Sequence, residues 1–460
     1  MAQQVTGDAA GLLRHLAKFA CSTYLGAPPE VRKQAGLSIL DTVGCMVAGS
    51  TAPETRSLLQ AELESSAGEG RASVCRYARK LSPAAAARVN GYAGDLFELN
   101  DLTGGHASIA VVTAALAVAE ARGRTGAQLV DSVVAGIEVT SRVYAAYYPT
   151  MKPYDDVGIA PPGIPSTIGT AAAISRLYGL GEEQTANALA IAGALAGWCP
   201  AEVIFGDGGT IKPALFGSWP ATVAIQAVAY ALAGLTGPQA LLESRIGLYA
   251  TLARSFDAGA ILNPARWHLA APRRKRHACC GYIHSALDAV VALRADGTRL
   301  EDAAVIEVRM PSYIIPGIAK DGPPVSSNAA RFHAEYCIAV AAEGEGVIVP
   351  DHSLNFARHM PRVEHAMRRV KVVADDTLTH YHQSIVRGLD AGGAELFRKR
   401  VDAPRGAPGD PMSDDEVLGK FVALTRDVMD PHAQRAYLAR VDALEDERDC
   451  GWLVGAFAAQ

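Results

Sequence analysis

The 460-residue chain is 49% hydrophobic and carries a formal net charge of −5 at pH 7. That length corresponds to about two domains and to a core that needs no covalent staples. The negative balance argues against a nucleic-acid surface, which needs clustered excess lysine and arginine. The eight cysteines show no framework spacing and read as reduced intracellular thiols. The first twenty residues lack the long apolar stretch of a signal peptide. The most apolar run, from Ala188, is shorter than the ~20 residues that span a bilayer. A buried helix, no membrane association and a cytoplasmic location are therefore expected.

From Gly11 to about Ser244 the pattern is helix after helix, with ALAVAEARGRTG, AAAISRLYGLG and VAYALAGLTGP each closing on glycine, as a helix C-cap should. The texture changes around Pro264–Pro272. Short β-like runs follow at 303–311 and 368–376, and then SIVRGLDA and AELFRKRVDA, which Gly392-Gly393 would join as a two-residue hairpin. Helical segments such as YIHSALDAVVALRADG lie between these runs, an alternation that reads as a small α+β domain. The last fifty residues return to helix, with Ser413 as a cap. The expected fold is mostly α: a large helical domain (1–267), an inserted α+β lid (268–405) and C-terminal helices (406–460) that rejoin the large domain. Pro404–Pro411 is the expected linker.

Chemistry concentrates between Asn90 and Ser108. Asp95, Glu98, Asn100, Asp101, Thr103 and His106 fall within twelve residues, ahead of an apolar helix-like segment. On a helical turn Glu98 and Asp101 would share a face, and Gly104-Gly105 would break that turn and set His106 before the next helix. Carboxylate, amide, hydroxyl and imidazole gathered at a helix entry suit proton transfer on a small substrate. A hydrated loop with Ser108 as N-cap would account for the same residues.

This segment resembles the signature of the MmgE/PrpD family, which includes 2-methylcitrate dehydratase, cis-aconitate decarboxylase and iminodisuccinate epimerase. The family reads N-G, a spacer, D-F-D-D, a loop and H-P-[GS]. Here the acidic element is Glu98-Leu99-Asn100-Asp101 and the loop histidine is His106. GLSILDTVGCMVAGS, GGTIKPALFG, KRHACCGYIHSALDAV and GDPMSDDEVLGKF resemble four further family stretches, in the family's order. The resemblance implies a homodimer that works without a cofactor. It implies His106, Glu98, Asp101 and Tyr336 as catalytic residues, and Lys212, Lys275, Thr103 and His284 as substrate-binding residues.

The residues themselves allow some of this. Gly208-Gly209 before Lys212 could present N–H groups to an anion, although the spacing is not that of a nucleotide P-loop. In Arg273-Arg274-Lys275-Arg276 only one or two cations can enter a cleft. Lys275 matches the family lysine, and Arg273 and Arg274 read as a solvated face. His277, Cys279, Cys280 and His284 do not make a zinc site, since adjacent cysteines poorly ligate one tetrahedral ion. His380 and His382 read as surface residues. Tyr336 reads equally as a core residue, and His333 as either surface or cleft.

Departures from the family are specific. Glu98 lengthens the first acidic side chain, Asn100 removes a charge, the histidine of a G-[FW]-H-P-T segment has no counterpart, and Leu215 replaces another histidine. A tyrosine-rich stretch (Tyr144, Tyr147, Tyr148, Tyr154) stands near the gap, so a smaller or less charged substrate than citrate-like acids is expected. The leading expectation is a cofactor-independent lyase, a dehydratase or decarboxylase, moving a proton at the carbon next to a carboxylate or carbonyl of a small acid. An epimerase with the same first step is the alternative, and a non-catalytic binding protein the third.

Overall fold

The computed structural model describes residues 11–65, 70–205 and 209–458. The start of the chain and Gly208 therefore lie outside the described residues. The fold is mostly α with one small sheet. Helix Ala107–Ala121, built of alanine, valine and other small residues, is buried along Ala107–Ala119. An apolar sequence with no polar face belongs in a core. It packs against Pro83–Asp95, Gly126–Tyr147 and Gly163–Tyr178. The helices ending at Ala121, Tyr178 and Leu232 are closed by Gly123, Gly179 and Gly234 in the left-handed region, as the sequence predicts. The run from Ala188 falls in helix Glu182–Leu195, which is buried through Ala192. One described helix, Ala214–Leu232, is apolar and long enough to cross a bilayer, and 61% of its apolar window is buried inside the fold.

A second hydrophobic core forms between residues 279 and 386. Strands β1 (Val305–Met310), β2 (Val370–Ala374), β3 (Ser384–Leu389) and β4 (Glu395–Val401) make one sheet in the order β2-β1-β3-β4. β1 and β2 run parallel, and the other pairs are antiparallel. Ile306, Val308 and Met310 of β1 are buried while Glu307 and Arg309 face outward, the period-2 pattern of a half-buried strand. Helices His284–Ala295 and Ala334–Ala342 cover the inner face. The predicted hairpin forms with a longer loop. Asp390 N–H donates to Ala394 O, and left-handed Gly393 completes the reversal. That is the three-residue connection ending in a left-handed glycine.

The chain then returns to the first core, where Phe421, Tyr437, Leu453 and Phe457 are buried. Ser413 caps helix Asp414–Thr425 in a reciprocal box with Glu416, and that helix packs on Pro29–Gly49. The stretch expected to be a linker is instead tied down. Arg405 bonds Asp410 and Glu416, and Gly406 O accepts from Arg274 N–H at 2.8 Å.

One contact places the chemistry. Gly91, in helix Pro83–Asp95, meets Gly217 backbone to backbone; a Cβ on Gly217 would sit 2.2 Å from Gly91 O. Only glycines allow that approach, and it brings the end of one helix, Asp95, beside the start of the next, Lys212. The helix following Lys212 opens with a π-helical turn, Ala214–Ser218, next to Pro220, which has no N–H to give an ordinary helical bond.

Candidate active site

The loop from Leu96 to His106 is strained and firmly held. Among the described residues three non-glycines have positive φ, and two of them, Glu98 (53°) and His106 (101°), lie here. Each costs about 1–2 kcal/mol for an L-residue, and such strain gathers at functional sites where surrounding bonds over-determine it. The holding bonds come from far along the chain. Leu102 N–H donates to Arg273 O at 2.7 Å and Arg273 N–H to Thr103 Oγ1 at 3.0 Å. Lys420 Nζ donates to Leu99 O at 2.7 Å and Lys275 O at 3.0 Å, and pairs with Asp41.

Glu98 is the hub of a buried charge network. Its Oε2 accepts from Lys275 Nζ at 2.7 Å, and its Oε1 contacts Lys212 Nζ. Lys212 also donates to Asp95 Oδ2 at 2.9 Å, and its ammonium lies 4.5 Å from the Phe216 ring centroid. All four charged groups are buried. Burial pushes the Lys212 ammonium down to about 8, against the opposing pull of Asp95. Burial likewise lowers Lys275 and raises Asp95. Two ammonium groups and two carboxylates thus cancel within one cluster.

His106 stands beside this cluster. Its Nδ1 is 3.1 Å from the Asn100 side-chain nitrogen and 3.9 Å from Asp95 Oδ1. Its Nε2 makes no hydrogen bond among the described residues, and the ring lies 5.1 Å from that of Phe216. Burial, helped by the positive charge of Lys275, holds His106 well below its ordinary value, so it is neutral at pH 7. An amide can turn either its oxygen or its N–H to a ring nitrogen. Asn100 therefore supports both tautomers without adding charge.

His106, Glu98 and Lys212 line one cleft. Tyr144, Tyr148, Tyr154, Tyr282 and Tyr381 line it too, with Phe216 and Arg273. Lys275 touches the cleft through Glu98.

The other sequence-predicted residues face elsewhere. Asp101 does not share a face with Glu98, because the left-handed turn at Glu98 separates them. It accepts from Ser108 Oγ at 2.5 Å, and burial pushes it up to about 6. Ser108 is therefore inside the helix and is not its N-cap. Thr103 is spent on Arg273 N–H, and His284 lies 3.2 Å from Cys279 O. Tyr336 sits in the second core, its hydroxyl donating to His352 O at 2.5 Å. His333 is buried and caps helix Ala334–Ala342. Two cations read as solvated are not. Arg273 lines the cleft and donates to Tyr381 Oη at 3.1 Å, while Arg274 is buried on Gln34. His382 is buried rather than on the surface, packed against Tyr381.

Sequence reasoning gave no individual role in the site to Asp95, Arg273 or Lys420. Lys420 stands in the K-F pair of GDPMSDDEVLGKF, so a cue for it was present. Arg273 had only its place two residues before Lys275.

The MmgE/PrpD N-terminal domain model matches residues 14–260, and the MmgE/PrpD C-terminal domain model matches residues 277–446. The chain is 24% identical to a cis-aconitate decarboxylase of Aspergillus terreus over 457 residues, covering 91% of this chain and 88% of the relative. It is 24% identical to the cis-aconitate decarboxylase-like protein oryM of Aspergillus oryzae, covering 94% of each. To the human cis-aconitate decarboxylase it is 26% identical, covering 81% of this chain and 79% of that one. Two domain models in order, over most of the chain, agree with the two cores and the signature loop between them: this chain belongs to the MmgE/PrpD family.

Proposed function

We propose that the protein is a lyase that removes water from a small organic acid by proton transfer at the carbon next to a carboxylate or carbonyl, using side chains alone. The observation that carries this reading is a neutral imidazole, His106, in the same cleft as Lys212, a lysine whose proton is unusually labile. His106 Nε2 takes the α-proton while Asn100 accepts from Nδ1–H. Arg273 holds the negative charge that builds on the substrate's carboxyl or carbonyl oxygen. The β-hydroxyl leaves with the Lys212 proton as water; the proton on His106 then passes to solvent, and neutral Lys212 takes one back from it. Asp95 and Glu98 hold Lys212 in place for the transfer.

The names of the relatives favour a second reading, decarboxylation. There the bond to the carboxyl carbon breaks, CO2 leaves, and the Lys212 ammonium supplies the proton to the remaining carbanion, then regains one from solvent. Incubation with a panel of 3-hydroxy acids and their unsaturated counterparts separates the two. Near-UV absorbance of a new double bond marks dehydration, and released CO2 marks decarboxylation. Deuterium uptake with inversion and neither product would instead mark an epimerase, and tight binding with no turnover a binding protein.

The pH profile follows from the two shifts. Lys212 is an acid only below about 8, so kcat/KM is expected to fall on the alkaline side around pH 8. His106 is a base at all pH values above its lowered pKa, so no acid limb is expected near pH 6.5. An acid limb at pH 6–7 that disappears in Asn100→Ala would show that His106 is not held neutral.

A further inference from the structure

The charges in the cleft do not suit a polyanion. Lys212 and Lys275 are both engaged by Glu98, and Lys212 by Asp95 as well. A further buried cation, Arg331, donates from its two terminal nitrogens to Leu96 O and Ser327 Oγ and is no part of the wall. Of the cations lining the cleft, only Arg273 has no carboxylate partner among the described residues, and the one hydrogen bond of its side chain goes to a phenol oxygen. A second or third substrate carboxylate would have to displace a buried ion pair or stay unpaired, and both are costly.

Much of the remaining wall is aromatic. Tyr144 and Tyr148 are stacked at 4.6 Å between centroids, and the Tyr154 and Tyr282 hydroxyls are 3.4 Å apart. Burial raises these four phenols, so they stay uncharged. Tyr148 and Tyr154 also line an outer groove with Tyr313 and His380, so the aromatic surface continues beyond the inner chamber. Stacked and edge-on rings hold planar apolar groups, and their faces are poor partners for carboxylates.

We infer that the substrate is a monocarboxylic acid with a planar, apolar body, its single carboxylate on Arg273 and an aryl or conjugated group among the tyrosines. This rests on the lyase reading for its chemistry, and on the cleft's charge and shape for the substrate class. The test is calorimetric binding to the full-length wild-type protein of three probes: 3-hydroxy-3-phenylpropanoate, 3-hydroxybutanoate and cis-aconitate. The phenyl acid is expected to bind about tenfold or more tighter than 3-hydroxybutanoate, the effect of burying a ring, and tighter than cis-aconitate. Arg273→Gln should weaken the phenyl acid about tenfold or more, and Tyr148→Ala should erase most of the advantage of the ring. Tighter binding of cis-aconitate, or no advantage for the ring in the wild type, overturns the inference. Turnover of the same probes separates the two failures. Consumption of cis-aconitate alone keeps the lyase and removes this substrate class. Tight binding of the phenyl acid, without dehydration or exchange in it or its relatives, keeps the substrate class and removes the lyase.

Discussion

Replacing His106 with alanine is expected to lower turnover by about two to four orders of magnitude, the range for losing a general acid/base, while unfolding stays cooperative. The side chain makes no Nε2 hydrogen bond among the described residues, is neutral, and lines the cleft beside Lys212. Its backbone supplies a control. At φ 101° a Cβ is strained, so His106→Gly should be more stable than His106→Ala by about 1 kcal/mol and equally inactive. A residue kept for packing would show the opposite, with both variants losing stability and keeping activity. More than about a tenth of wild-type turnover in either variant would remove His106 from the proton transfer.

The second large effect falls on the fold. Glu98→Gln keeps the shape and removes the carboxylate that serves both lysines. Lys212 retains Asp95, but Lys275, fully buried, loses its one ion pair among the described residues. Leaving one charge of a buried pair uncompensated costs about 3–5 kcal/mol, to be read from urea midpoints. Adding Lys275→Met should restore part of that loss, because the orphaned charge goes with it. A Glu98→Gln midpoint within about 1 kcal/mol of wild type would mean that the network contributes little to stability. For the same reason, lost activity in Lys212→Met or Lys275→Met mixes substrate binding with damage to the network, and each variant needs its stability measured alongside.

The fold was largely legible because its signals are local. Glycine stops, an alanine-rich helical core, the short β-like runs of β1 and β2 and the Ser413 cap are all written within a few residues. The site was legible only where it is also local. The acidic stretch pointed to Glu98 and His106, and family motifs pointed to Lys212 and Lys275. Spacing failed at Asp101, because it assumed a regular helical turn where Glu98 is left-handed. It failed at Arg273 because four adjacent cations look alike until the backbone aims them. The aromatic wall was half visible: the stretch Tyr144–Tyr154 stood out, but Tyr282 and Tyr381 reach the cleft from distant parts of the chain, and no spacing encodes that meeting.

The account turns on whether His106 moves the α-proton. The direct measurement is deuterium incorporation at the α-carbon in D2O, by mass spectrometry, with an acid the wild type consumes. Wild-type protein is expected to exchange that position at least as fast as it turns over. His106→Gln, still folded and still binding the acid, is expected to exchange it no faster than buffer. Exchange in His106→Gln at the wild-type rate would contradict the account and assign the proton to another group in the cleft.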